Sequence, residues 1–248
     1  MSSQPCHLLE WDTEFFGFRV ARVSENRLHD EDVEEVKRWC AAERIRCLYL
    51  LAASGDAATT RVAEEHGFHL TDVRVTLERR LDDAPAANPA LEPAAEGDIA
   101  ELRRIAAASH GDSRFYFDLG FPRPSCDGLF AAWIEKSCRG YAQAVLVARQ
   151  GSRPAGYVTC HLRDTTGQIG LIAVDRRAQG QGLGRDLVNA SLGLFQERGM
   201  TRAIVVTQGR NVASQRLYQR CGFVTSAVEL WYHRWFKENP VEWGANPV

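Results

Sequence analysis

Apolar positions along this chain fall into short segments with two distinct periods. Alternating or continuous apolar runs predict strands at RCLYLLAA (46–53), VRVTLERRL (73–81), AQAVLVARQ (142–150), AGYVTCHLR (155–163), GQIGLIAV (167–174), 203–207 and after Phe223. Helical spacing predicts helices at DEDVEEVKRWCAAERI (30–45), TTRVAEEHG (59–67), EGDIAELRRIAAASH (96–110), LFAAWIEKSCRG (129–140), 183–198 and 212–221. In the third of these, Ile99, Leu102, Ile105 and Ala106 share one face. LLEWDTEFFGFRVARV (8–23) reads as extended with a turn at Gly17, and GDSRFYFDLGFPRPSCDG (111–128) as a loop. Turn residues at 151–154 and 164–167 make the three central strands an antiparallel meander.

One phrase is written twice. RVAEEHGF begins at Arg61 and RLYQRCGF at Arg216, 155 positions later, each after an apolar run and before an alternating one. A strand, a short helix closing on Gly-Phe and a second strand are therefore expected near each end, as a shared local architecture. The alanine- and proline-rich stretch at 82–93 breaks the periodicity and reads as a linker. It separates a small α/β domain at 1–81 from a larger domain at 94–238, with a polar tail at 239–248.

Composition narrows the classes. A net charge of −2 leaves no bulk electrostatics for nucleic acid, so an anionic ligand would need a local basic pocket. No apolar run approaches the ~20 residues of a membrane span, and the start MSSQPCHLLEWD has no secretory pattern. The seven cysteines (Cys6, Cys40, Cys47, Cys126, Cys138, Cys160, Cys221) form no C-x-x-C pair, so no metal site is expected. Reduced, mostly buried thiols in a cytoplasmic protein fit that pattern.

The chemistry-bearing segment is IGLIAVDRRAQGQGLGRDLV (169–188). A strand enters a basic turn with Gly180, Gly182 and Gly184, and the turn opens a helix, so that consecutive N–H groups converge as they do on phosphates. No G-K-[ST] is present, which excludes a P-loop, and the element order does not suit a dinucleotide fingerprint. Asn211 and Tyr218 lie seven residues apart, two helical turns, with roughly 10 Å of rise between them. Asn211 suits a helix cap or a ligand amide, and Tyr218 a buried core position or a chemical role.

Together, Q179-G-Q-G-L-G184 (the form Q/R-x-x-G-x-G/A) and N211-VASQRLY-QRCGF resemble the two signature motifs of the GNAT acetyltransferase superfamily, over residues 94–238. The resemblance implies an α/β (α+β) protein, a C-terminal GNAT fold with a mixed, mainly antiparallel sheet, preceded by a smaller half-GNAT-like α/β domain. It implies acetyl-CoA as cosubstrate and Tyr218 as general acid for the departing thiolate. Leu171, Ile172, Ala173 and Val174 would face the pantetheine, Gln179, Gly180, Gln181, Gly182, Leu183, Gly184 and Arg185 the pyrophosphate, and Asn211 the pantetheine arm. The first copy of the phrase puts Ala63 where the second puts Tyr218 and has no glycine turn before it. For the base, His161 and His110 are candidates, with a water chain as the other route.

LLEWDTEFFGF, SRFYFD and WIEKSCRG resemble the acetyltransferases that act on a TDP-linked 4-amino-4,6-dideoxygalactose, although here the SRF segment runs on through GFPRPSCDG. Ser113, Arg114, Phe115 and Tyr116 are then the substrate-binding candidates, a cation and aromatic faces suiting a nucleotide. The implied partner is a small nucleotide-sugar amine, with a homodimer as the expected assembly. A protein or aminoglycoside amine, and a non-catalytic acyl-CoA-binding module, remain the alternatives.

Overall fold

A computed structural model describes residues 4–82 and 91–236. The expected tail at 239–248 and residues 83–90 of the expected linker lie outside the described residues. Glu92–Pro93, at the linker's end, forms a short strand, β5, paired with β6 (Ala144–Gln150). Contacts divide the chain into two compact units. The first takes the described residues up to Arg74, Arg114–Ser125 and those from Val228; the second takes Val75–Ser113 and Cys126–Ala227. The division falls inside two long strands, β4 (His69–Arg80) and β10 (Val224–Trp235).

In the first unit, β1 (Cys6–Leu8), β2 (Val20–Val23), β3 (Cys47–Ala53) and β10 lie in that order. β2 runs parallel to β3, while β1 and β10 run antiparallel to their neighbours. Because side chains alternate across a strand, Leu48, Leu50 and Ala52 share one face with Tyr232. That face is buried against Val33, Val36 and Cys40 of α2 (Val33–Ala42) and Val62 and Ala63 of α3 (Ala57–Glu65). Full burial of each Leu or Val side chain contributes about 1.5–3 kcal/mol. Tyr49, Trp231 and His233 belong to the opposite face.

The stretch expected to be extended before Gly17 is instead a helix, α1 (Glu10–Phe16). Its aromatics suit both periods, but Trp11 and Phe15 are four apart and stack with centroids 5.0 Å apart on one helical side. Gly17, at φ 75°, closes the helix by donating its N–H to the Thr13 carbonyl. In the expected loop, Arg114–Phe117 is a helical turn, α5, and α6 (Arg123–Lys136) starts six residues ahead of expectation. Pro122 and Pro124 do not prevent this start, because a proline in a first turn removes an N–H with no helical partner.

In the second unit the strand order is β4, β9 (Arg202–Gln208), β8 (Thr166–Val174), β7 (Arg153–Arg163), β6, β5. The meander of β6, β7 and β8 is antiparallel as expected, and β8 with β9 is parallel. The sheet is thus mixed and mainly antiparallel. α4 (Ile99–Ser109) buries the expected face of Ile99, Leu102, Ile105 and Ala106. α7 (Leu183–Glu197) buries Leu187, Val188, Leu192 and Phe195. Six of the seven cysteines are buried and all are free thiols. Among the described residues, no helix is long and apolar enough to cross a membrane.

The repeated phrase is repeated architecture, residue for residue. β3, α3 and β4 have the same lengths as β9, α8 (Val212–Arg220) and β10, and each bound is displaced by the same 155 positions. The caps match as well. Asp56 accepts from the Thr59 N–H at 3.1 Å, and Asn211 from the Ser214 N–H at 3.0 Å. At the other end the Phe68 N–H reaches the Ala63 carbonyl, and the Phe223 N–H the Tyr218 carbonyl, at 2.9 and 3.0 Å. Both helices therefore end in one Schellman closure, with Gly67 at φ 71° and Gly222 at φ 81°. An arginine of the other copy's closing strand secures each end: Arg234 of β10 donates to the Gly67 carbonyl at 2.9 Å and Arg79 of β4 to the Cys221 carbonyl at 2.6 Å.

A Cβ on Gly67 would overlap the Arg234 guanidinium, whereas on Gly222 it would stand 3.3 Å from that of Arg79. Gly222→Ala is expected to cost about 1–2 kcal/mol for the left-handed backbone alone. Gly67→Ala should cost more, because Arg234 must also move. Denaturant midpoints of the two variants test this order, and equal losses would contradict it.

Candidate active site

β8 and β9 stay paired only from Thr166↔Arg202 to Ile169↔Val205. Beyond Ile169, β8 keeps β7 on one side and has no strand partner on the other. The Asp175 N–H bonds the Ala155 carbonyl at 2.8 Å, so Asp175 and, by antiparallel alternation, Ala173 face β7. Ile172 and Val174 consequently turn their main-chain polar groups toward the open side, where a ligand amide can complete the ladder. Leu171 differs from its neighbours: the register shifts here, and its N–H is taken by the Thr159 hydroxyl at 2.8 Å.

At the end of β8, Asp175 fixes the turn that follows. Its carboxylate accepts from the Arg177 N–H at 3.0 Å and pairs with Arg104 of α4, and these two interactions hold it below the usual carboxylate range. A 3-10 turn, Arg176–Ala178, then leads into the glycine segment. Gly180 and Gly182 sit at φ 78° and 85°, left-handed conformations at which a side chain would be strained. Gly182 caps α7, leaving the first N–H groups of that helix without intrahelical partners. That end of the 15-residue helix is electropositive and suited to a phosphate.

A groove of about 450 Å³ runs along these elements. Of the expected residues, Ile172, Ala173, Val174, Gln179, Gly180, Gly182, Leu183, Gly184 and Asn211 line it, and so does His110. Leu171, Gln181, Arg185 and Tyr218 are not among its lining residues: Gln181 bonds the Gln150 side chain at 2.7 Å, and Arg185 is exposed. The sequence reading did not single out Ser109, Asp112, Ala213, Ser214 or Leu217, which also line the groove. Ser214 and Leu217 lie three and six residues after Asn211 on α8, so helical spacing from Asn211 was the available signal.

Asn211 is the helix cap, its side-chain oxygen holding the Ser214 N–H. Tyr218 is buried, at 3% exposure, one turn before the Gly222 closure. Burial, helped by the nearby Cys221, pushes its phenol well above the ordinary value, while the Ser214 hydroxyl acts in the other direction. It stays protonated at neutral pH. His110 Nε2 lies 3.2 Å from the Tyr157 hydroxyl, and its ring stacks on Phe130 with centroids 4.3 Å apart. Burial lowers its pKa to about 4. His161 is half-buried, with its pKa lowered by burial, 3.4 Å from the Thr159 hydroxyl and outside the groove lining.

Ser113 belongs to the second unit; Arg114, Phe115 and Tyr116 belong to the first. Ser113 is buried and donates its N–H to the His110 carbonyl at 3.1 Å. Phe115 is a core residue, packed on Phe16 and Phe121. Tyr116 lies under the guanidinium of Arg123. Arg114 stacks over Phe115 at 4.3 Å and Trp231 at 4.4 Å, and its Nε donates to His233 Nε2 at 3.2 Å. His233 in turn donates from Nδ1 to Asp118 at 2.5 Å. Burial lowers the His233 pKa to about 4, against the pull of Asp118, so it is neutral and this tautomer is fixed. Burial would raise the Asp118 pKa, but bonds from His233, Trp235 and the Gly120 N–H outweigh it and keep the carboxylate ionised.

A sequence profile described as "Acetyltransferase (GNAT) family" matches residues 104–223. The dTDP-fucosamine acetyltransferase of Escherichia coli O6:H1 is 29% identical over 233 residues, 91% of this chain and 96% of that one. The spore coat polysaccharide biosynthesis protein SpsD of Bacillus subtilis is 29% identical over 146 residues, 58% of this chain and 50% of that one. Among solved structures, a GCN5-related N-acetyltransferase from Sphaerobacter thermophilus superposes with a TM-score of 0.67 at 14% identity, covering 93% of this chain and 76% of that one; it shares the fold.

The depressed pKa of His110 has a consequence for stability. Its ordinary value is 6.5 and its folded value about 4, so the unfolded chain binds this proton more readily. The contribution is whole above pH 6.5, declines as the pH falls toward 4 and levels off below. Imidazole NMR should find His110 neutral at pH 5, and His110→Gln should flatten the pH dependence of stability in that window. Titration near 6.5 would contradict the burial argument.

Proposed function

We propose that this chain, whose residues 104–223 match the GNAT acetyltransferase family, moves acetyl from acetyl-CoA to a nucleotide-linked amino sugar of the TDP-4-amino-4,6-dideoxyhexose type. The observation that carries the cosubstrate assignment is the groove that joins the unpaired edge of β8 to the N-terminus of α7. The acceptor rests on the likeness to the E. coli enzyme over nearly the whole of both chains.

In this reading Gly180, Gly182, Leu183 and Gly184 hold the pyrophosphate with backbone N–H groups, and the exposed Gln181 and Arg185 flank it. The side chain of Asn211 and the open main-chain groups of Ile172 and Val174 take the pantetheine amides, with Leu171 and Ala173 shaping the strand between. A β8 N–H also stabilises the thioester oxygen as negative charge develops there. The sugar amine attacks the carbonyl carbon directly. The new C–N bond forms, the C–S bond breaks, and the leaving sulfur takes a proton from the Tyr218 phenol.

The attacking nitrogen must lose its own proton. Of the two histidine candidates, His110 is the one on the groove wall. It is neutral and so has a lone pair to offer, but a pKa of about 4 makes it a weak base, and a water chain carries the proton onward. His161 is not among the residues lining the groove and takes no part in this account. Ser113, Arg114, Phe115 and Tyr116 serve the acceptor, with Arg114 making the charged contact.

Tyr218→Phe should lower kcat on the order of 100-fold or more while acetyl-CoA affinity is kept, the signature of a group used only in the transition state. Unchanged turnover would remove Tyr218 from the mechanism. Free-thiol release should be rapid with a TDP- or UDP-linked 4-amino-6-deoxy sugar and slow with an aminoglycoside or a lysine peptide. The reverse preference would overturn the acceptor and leave the fold and cosubstrate standing. Acetyl-CoA binding with no turnover of any amine would point to a binding module.

A further inference from the structure

One face of the first unit's sheet sets arginines among aromatic rings, and of these the account above uses only Arg114. Arg22 of β2 is in register with Tyr49 of β3, which is in register with His233 of β10. On that face the guanidinium of Arg22 stands 5.3 Å from the Trp231 ring and that of Arg114 stands 4.4 Å from it. Two planar cations are thus held on one indole. Arg74, paired with Glu229, completes the group.

Arg22, Arg74 and Arg114 are three fixed cations; Glu229 and Asp12 act on them directly, while the ionised Asp118 is taken up by His233, Trp235 and the Gly120 N–H. Burial lowers the pKa of Arg22, and Arg74 and Arg114 lower it further while Glu229 opposes them. Hydrogen bonding is incomplete too. Arg22 donates a terminal N–H to Asn26 at 2.6 Å, but its Nε is buried without a partner. Tyr49 is 1% exposed, and its hydroxyl makes no hydrogen bond of good geometry, although it lies near enough to Asp12 to favour that carboxylate. Buried donors left in this state are costly, and a ligand that accepts from them would recover that cost.

Arg114 is preset for such a ligand. Its Nε is engaged by the neutral His233, and its plane is fixed by Phe115 and Trp231, so its two terminal nitrogens are presented as a fork. Forks of this kind suit phosphate oxygens, and three arginines match a group with more than one negative charge.

We propose that Arg22 and Arg114, held on Trp231, together with Arg74 form a diphosphate-binding site in the first unit that anchors the nucleotide end of the acceptor. This rests on the nucleotide-sugar reading above and adds to it the residues that grip the nucleotide. The ligand chemistry is a pyrophosphate ester, and the phosphates of CoA are the competing source.

The test is equilibrium binding of thymidine diphosphate and uridine diphosphate, without amine or thioester, to the full chain and to Arg22→Gln and Arg74→Gln, with acetyl-CoA binding measured in parallel. Arg22→Lys, which keeps the charge and loses the planar fork, guards against a folding artefact. Loss of one charge-assisted contact should weaken the nucleoside diphosphate about 10- to 100-fold, with acetyl-CoA affinity unchanged and the lysine variant between. If the wild type and the glutamine variants bind the nucleoside diphosphate equally, the site is refuted while the acceptor reading survives. If the variants instead lose acetyl-CoA, the anion is CoA's own and the proposal is overturned. If no nucleoside diphosphate binds and no nucleotide amino sugar is acetylated, the acceptor reading fails and takes this site with it.

Discussion

The separation of β8 from β9 after Ile169 and Val205 is the constraint on which the rest of the candidate site depends. A strand between two partners has no main-chain group to spare; a strand that loses one partner must satisfy its N–H and C=O groups elsewhere. Here the exposed edge begins where the register with β7 shifts and ends at Asp175, whose bonds to Arg177 and Arg104 set the direction of the following turn. The open edge and the helix terminus are therefore consecutive along one segment. An extended ligand with amides at one end and phosphates at the other meets both in order.

The duplicated strand–helix–strand unit shows how little of a helix's architecture belongs to its chemistry. Cap, length, Schellman closure and arginine latch are common to α3 and α8. In each copy the closing strand lies beside the other copy's first strand, β10 next to β3 and β4 next to β9. The copies differ in what the helix buries, Thr59, Val62 and Ala63 in α3 against Tyr218 alone in α8, and in the segment that precedes it. Packing is met by both copies; a phenol and a glycine turn occur with only one.

Arg114 illustrates a second way of making a cation useful. A solvated arginine spends side-chain entropy when it binds, whereas this one is ordered beforehand by two rings and a neutral histidine. The histidine is itself oriented by Asp118, which stays ionised because three donors converge on it. The chain from Asp118 to Arg114 is buried at its centre, where a loose hydrogen bond would be costly.

Local signals in the sequence sufficed for the meander, the amphipathic face of α4, the glycine turn entering α7 and the repeat at 155 positions. Each depends on periodicity or on a residue whose backbone preference is intrinsic, as with the positive φ of Gly180 and Gly182. The same signals misread α1, whose closely spaced aromatics fit either period, and the start of α6, which lies in a stretch read as a loop although prolines suit a helix's first turn. Only the tertiary structure decided where β9 leaves β8, that the Leu171 N–H is spent on Thr159, and that Arg22, Arg74 and Arg114 share one face although they come from three separate elements. Those facts arise from pairing and packing between residues distant in sequence, and no local pattern encodes which long-range partner a strand edge or a guanidinium will meet.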